Sequence, residues 1–378
     1  MLRYPPEMRT IGLCFFGHFS KLAGPRTIAV LLTCSSVALG QVSITEYPIP
    51  VAAASQYNVI TSGPDGNLWF TENVGNKIGR MTTGGALTEF ALPTANSYPS
   101  GITSGPDGNL WFAEQGSERI GRITTAGLIT EFAVPTPYAN PTGITSGPDG
   151  NLWFTELGGS QIGRITTTGS ITEYPMPAGI TVPYGITAGA DGNLWFSGSG
   201  GIGRITTAGV ITVFAPGASG PNRGIASGPD GNLWFAEVFS LPRKIGRITT
   251  SGVLTEFTDT TANGEVYSIT RGPDGNLWFT EPFSFSPVQV GRITPAGAIT
   301  EVTFPAGFSN APVWITTGPD GNLWFTESLN HIGMIRLTPA SVPTVSGPVL
   351  VLLGILLGIL ASWLLVNGVS RVSHGENA

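Results

Sequence analysis

One sequence, G-x-D-G-N-L-W-F, occurs seven times in this 378-residue chain, and no other feature constrains the fold as tightly. Its aspartates are Asp65, Asp107, Asp149, Asp191, Asp230, Asp274 and Asp320, spaced 42, 42, 42, 39, 44 and 46 residues apart. A forty-odd-residue period built from short β-rich segments is the signature of a propeller blade. In the third repeat, Gly143–Ser146 reads as the inner strand and Pro148-Asp149-Gly150-Asn151 as a tight turn, with Pro presetting φ and Gly accepting φ > 0. Leu152–Thr155 then forms a second strand whose alternation sends Trp153 to one face and Leu152 and Phe154 to the other. Ile162–Ile165 and Ile171–Tyr174 supply the third and fourth strands, joined by a hairpin at Thr168-Gly169.

The ends of the repeat array predict how the ring closes. The seventh repeat stops at Ile332–Arg336 without a fourth strand, while an unattached fourth-strand sequence, Ile44-Thr45-Glu46-Tyr47, precedes the first repeat. Pairing the two completes the last blade and removes two open sheet edges. The expected fold is therefore an all-β, seven-bladed propeller over 41–340 whose N-terminal strand closes the last blade. One tryptophan per repeat (Trp69, Trp111, Trp153, Trp195, Trp234, Trp278, Trp324) is expected to pack between neighbouring sheets.

Residues 1–40 and 341–378 read differently. Arg3, Arg9, Lys21 and Arg26 precede the apolar run Ile28–Leu39, and Ala38-Leu39-Gly40 offers small residues before Gln41, the grammar of a secretory signal peptide; Met1 or Met8 could be the start. Val349–Val366 is almost wholly aliphatic and is followed by Arg371, as expected of a transmembrane helix over about 348–368. Its junction, Val342-Pro343-Thr344-Val345-Ser346, resembles the C-terminal sorting signals of bacterial envelope proteins. The expected localisation is extracytoplasmic and membrane-anchored, in the periplasm or at the cell surface, as a monomeric propeller. Residues 41–340 hold 13 Lys+Arg against 22 Asp+Glu, a net charge of −9. That sign disfavours nucleic acid as a partner. Cys14 and Cys34 both precede the repeats, so no disulfide is expected in the propeller.

The full repeat, G-I-T-x-G-P-D-G-N-L-W-F-T-E…I-G-R-I-T-x-x-G-x-I-T-E-[FY], resembles that of the virginiamycin B lyases, or streptogramin lyases, over about Ile44–Leu337. The resemblance implies a seven-bladed propeller and a Mg²⁺-assisted elimination that opens a cyclic depsipeptide, with a histidine base before the Gly-Ile of a late blade and a second one blade earlier. The equivalent residues here are Asn58, Ser100, Thr142, Tyr184, Arg223, Tyr267 and Val313. None is histidine. Tyr267 and Val313 hold the two positions where the resemblance implies imidazoles, and Ala311 and Ser328 fall where it implies metal-binding carboxylates, with Glu327 next to Ser328.

Two functions remain in view. The first is a non-catalytic module that binds a small molecule, a glycan or an envelope protein, using Asn58, Ser100, Thr142, Tyr184, Arg223, Tyr267 and Trp314 at the top rim and needing no cofactor. The alternative is a divergent Mg-dependent lyase or lactone hydrolase acting on cyclic esters through Tyr267, Glu327 or Arg223, with Glu327 the candidate metal ligand. His331, the one histidine of the propeller, is expected to be solvated. The acids Glu72, Glu114, Glu156, Glu237, Glu281 and Glu327 are expected near one rim of the channel. All but Glu327 should pair with the arginine of their own I-G-R segment: Arg80, Arg122, Arg164, Arg247 and Arg292.

Overall fold

A computed structural model of the chain describes residues 42–49, 58–214, 223–237, 242–259, 265–282, 288–305, 308, 310–328 and 331–337. The signal peptide and the transmembrane sorting-type tail expected from the sequence lie outside the described residues. Every regular element within them is a strand, and the strands form seven antiparallel four-stranded sheets. Blade 3 is typical, with Pro141–Ser146 innermost, then Leu152–Glu156, Gln161–Ile165 and Ile171–Pro175. Blade 7 is assembled from both ends of the array: Val42–Pro48 pairs with His331–Leu337, from Val42↔Leu337 to Pro48↔His331. The N-terminal strand thus closes the ring, as the unpaired fourth-strand sequence predicts.

The repeat motif builds each blade's corner. Asp149 Oδ1 accepts the indole N–H of Trp153 at 3.0 Å, while its Oδ2 accepts the Asn151 side-chain amide at 2.8 Å. The aspartate thereby satisfies a polar group that would otherwise be buried without a partner. The remaining six blades repeat the Asp–Trp bond at 2.9–3.1 Å. Each motif is a structural clasp, and its carboxylate faces its own tryptophan and asparagine.

Blades adhere through aromatic layers. Trp69 stacks on Phe90 of its own blade with centroids 5.6 Å apart, then packs against Ile102, Leu110 and Phe112 of blade 2. Five other blades repeat the stack; blade 6 carries Val302 at the ring position instead. The hairpin between the third and fourth strands must approach the preceding blade's ring closely. Gly127 does so at φ 94°, where an added Cβ would lie 2.3 Å from the Phe90 ring. Gly127→Ala is expected to lose about 1–2 kcal/mol from backbone strain alone and more from the overlap. Urea unfolding of the variant against the parent chain measures this, and equal midpoints would contradict it.

The arginines of the I-G-R segments do not pair with the blade acids. Register opposes Arg80 to Trp69 and Lys77 to Glu72, so arginine and glutamate project from opposite faces of the blade. Arg80 lies 5.6 Å over the Trp69 ring and donates Nη1 to the Thr125 carbonyl of blade 2. Arg122, Arg164 and Arg247 make the same kind of bond to Thr167, Thr207 and Pro295, and Arg292 pairs with Asp274. Arginine here caps the aromatic layer and ties one blade to the next.

Glutamate faces glutamate instead. Glu72, Glu114, Glu156, Glu237, Glu281 and Glu327 are each at most 1% exposed, and each is influenced by a fourth-strand acid of its blade: Glu89, Glu131, Glu173, Glu256, Glu301 and Glu46 respectively. Blade 4 lacks both members, with Gly198 and Val213 in their places. Loss of the two together marks the pair as a unit. Glu131 and Glu173 accept both the backbone N–H and the hydroxyl of Thr94 and Thr136 in the preceding connectors. Burial raises the carboxyls of their partners, Glu114 to about 7 and Glu156 to about 8.

Candidate functional site at the channel mouth

The mouth is built where inner strands begin. In four blades the threonine after Trp-Phe bridges two blades there. Thr155 accepts the Gly143 N–H of its own blade and donates to the Tyr184 carbonyl of the next at 2.7 Å. Thr71, Thr280 and Thr326 donate likewise to the carbonyls of Ser100, Val313 and Asn58. Ala113 and Ala236 replace it in blades 2 and 5. Rim backbone is therefore pinned from outside, and rim side chains are left to point into the channel.

Six of the seven sequence-predicted rim residues line one cavity of about 320 Å³: Ser100, Thr142, Tyr184, Arg223, Tyr267 and Trp314. Asn58 is not among them; it is buried with its amide oxygen accepting the Asn73 N–H, and Val59 lines the cavity beside it. Ser100 and Thr142 spend their hydroxyls on nearby backbone carbonyls, the first on Thr142 and the second on Asn140. The chemically distinctive part of the wall is the arc Tyr184–Arg223–Tyr267–Trp314. The Arg223 guanidinium lies 5.5 Å from the Tyr184 centroid and 4.6 Å from that of Tyr267, and donates Nη1 to the Tyr267 hydroxyl. Trp314 meets Tyr267 edge-on at 5.8 Å. Val182, two residues before Tyr184, holds φ 49°, a strained setting for a β-branched residue at the rim.

Isoleucines complete the wall, with Ile102, Ile144, Ile186, Ile225 and Ile269 contributed by successive blades. Gln115 and Leu157 also line it, and sequence reading missed both. Their signal was present: each follows a second-strand glutamate whose side chain points into the blade, so alternation turns the next residue toward the mouth.

The acids are not at this mouth. Among the described residues no Asp or Glu lines the cavity, so the expectation that the second-strand glutamates border the channel is corrected: they are buried within the blades. Glu327 sits beside Glu46, with His331 Nδ1 at 4.0 Å. His331 is not simply solvated; its Nδ1 also lies 3.2 Å from the Asn310 side-chain nitrogen. Burial, then the charge of Glu46, raises the Glu327 carboxyl to about 8. Glu281 also joins Asp259 and Glu301 in a cluster that brings three carboxylate oxygens within 4.8 Å of one another, again away from the cavity. Asp259 stands where other blades place Leu92, Val134, Met176 and Phe304.

The donor set at the mouth does not fit Mg²⁺, which requires several hard oxygen ligands. Ala311 supplies only a methyl group, Val313 is apolar and fully buried, and the Ser328 hydroxyl accepts the Ala311 N–H at 3.2 Å. The Tyr267 phenol, in one of the two positions where the resemblance implies an imidazole, accepts from a guanidinium that would repel a cation.

Comparison with known proteins places this geometry. The model of the virginiamycin B lyase family matches residues 35–220 and 198–342. A streptogramin B lyase structure superposes with a TM-score of 0.72 at 36% identity, covering 79% of this chain and 98% of its own. A catalytically inactive histidine-to-alanine variant of virginiamycin B lyase from Staphylococcus aureus with Quinupristin gives 0.71 at 38%, covering 79% and 100%. The virginiamycin B lyase of Bordetella bronchiseptica is 44% identical over 62 residues, which span 16% of this chain and a fifth of that protein.

Proposed function

Because the chain belongs to the virginiamycin B lyase family yet presents Tyr267 and Val313 where the family resemblance implies histidines, we propose that it is a ligand-binding propeller without lyase activity. The observation that carries the reading is the mouth itself: a cavity of about 320 Å³ with an apolar wall and one arc of converging polar and aromatic groups. Small-molecule sites have this composition and run from about 300 Å³ upward. Among the described residues the mouth carries neither histidine nor carboxylate, the side chains most often used to remove a proton near neutral pH. The signal peptide and apolar tail complete the proposal, which displays this mouth on the extracytoplasmic side of a membrane as a monomer.

A melting-temperature screen of the full chain against small molecules and oligosaccharides tests the site, since a ligand of the native state raises the melting temperature with occupancy. Tyr184 is half-buried, and its backbone alone holds Thr155 and Ser197. Tyr184→Ala should therefore leave the apo melting temperature nearly unchanged while weakening a stabilising ligand by about tenfold, as loss of one aromatic contact implies. Ligands whose effect is the same in the variant bind elsewhere and contradict the assignment.

A further inference from the structure

We infer that the channel mouth selects a compact monoanion, a carboxylate carried on an apolar body, with Arg223 as its charge partner. The inference rests on the mouth being a binding site and adds the chemical class of its ligand. Among the described residues, Arg223 is the sole charged residue lining the cavity and no carboxylate lies within 4.0 Å of it. The residues 41–340 carry net charge −9, so an unmatched guanidinium is not a product of excess basic residues. A half-buried charge against aromatic and aliphatic walls is costly unless paired.

Two donors strengthen the case. Arg223 Nε and Trp314 Nε1 are both buried without a hydrogen-bond partner among the described residues. Both side chains border the cavity, flanking Tyr267. Nε of Arg119, Arg164, Arg204 and Arg247 is unsatisfied in the same way. Trp314, however, holds the one indole so left among the described residues, the other seven bonding their turn aspartates, and an acceptor-rich guest supplies what it lacks. A carboxylate offers two acceptor oxygens to a guanidinium fork and cancels one charge with one charge. A phosphate monoester would bring close to two negative charges to a wall with a single cation. The isoleucines of successive blades then receive the apolar body.

Three probes of one shape separate the contributions: 3-phenylpropanoate, 3-phenylpropanamide and 3-phenylpropylammonium, titrated into the full chain by calorimetry. The acid should bind at least about tenfold more tightly than the amide, the gain expected of a charge-assisted hydrogen bond, and the ammonium should not bind. Arg223→Gln should bring the acid down to the affinity of the amide and leave the amide unchanged, while Arg223→Lys should keep a preference for the acid. Far-UV circular dichroism confirms that each variant is folded. Equal binding of acid and amide, or acid binding that survives Arg223→Gln, overturns the anion assignment and leaves the binding site standing. Binding of none of the three overturns the assignment, and only the Tyr184→Ala screen then decides whether the site reading falls as well.

Discussion

A chain lacking residues 42–49 is expected to lose cooperative folding. That strand gives blade 7 its outer edge through seven residue pairs, from Val42↔Leu337 to Pro48↔His331. It also buries Ile49 and packs Tyr47 on Trp324 with centroids 5.5 Å apart. Burial of a large apolar side chain contributes roughly 1.5–3 kcal/mol, and a domain's net stability is only about 5–15 kcal/mol. No disulfide offsets the loss, because both cysteines precede the propeller. Denaturant unfolding followed by tryptophan fluorescence should give a broad, non-cooperative change instead of a single transition. A milder variant, Tyr47→Ala, should remain folded but fall by about 3 kcal/mol, as for other large-to-small core changes. An unchanged midpoint in the chain lacking 42–49 would mean that the ring holds without its closing strand, and in Tyr47→Ala that the Tyr47–Trp324 stack adds nothing to its closure.

The second large effect is an alkaline loss of stability. Burial, together with a facing acid, raises the carboxyls of Glu72 and Glu237 to about 7 and those of Glu156, Glu281 and Glu327 to about 8. Glu114 is raised to about 7 by burial and by Glu131, against an opposing hydrogen bond from Ser117. In the unfolded chain these groups titrate near 4.5. The folded state therefore holds protons that unfolding releases. The resulting stabilisation is fully present below about pH 4.5 and is lost as pH rises through about 7–8. One realised unit at each of six sites amounts to roughly 8 kcal/mol, comparable to the stability of a whole domain.

The turn aspartates act in the opposite direction. Burial works against their ionisation, but hydrogen bonds from asparagine and tryptophan outweigh it and hold Asp65 and its six counterparts below the usual value of 3.8. Their contribution disappears only as pH falls through that lower range. Melting temperature should therefore peak near about pH 4–4.5, fall as pH rises to about 8, and level off above that. Glu156→Gln, which mimics the protonated form, should flatten part of the alkaline fall. A melting temperature that is level across that range would contradict the proton-sharing pairs.

Much of this architecture was legible in the sequence because it repeats with a fixed period and alternates with period two. The inner strand, Asp-Gly turn, Trp strand and closing strand all lie where those two periods place them. The acid–arginine pairing failed on the same rule applied carelessly. Trp69 and Glu72 are three residues apart on one strand and must face opposite ways, so an arginine stacked on the tryptophan cannot reach the acid. The joint loss of both acids in blade 4, where Gly198 and Val213 stand, was also visible in the sequence, and it carried the true partnership. The mouth was legible only in part. Arg223 and Tyr267 stand 44 residues apart at corresponding places in adjacent blades, and neither shows from sequence that it will lie over the other. Asn58 shares their position in the repeat but is buried, its amide oxygen accepting the Asn73 backbone N–H.

The central claim is that this chain keeps the family's propeller and has exchanged its eliminating site for a binding one. Mass spectrometry of Quinupristin incubated with the purified full chain, with and without Mg²⁺, tests it most directly. An intact ring at every time point, in both conditions, is the predicted result. Linearised product that depends on the protein and on Mg²⁺ would contradict the account and return the mouth to catalysis.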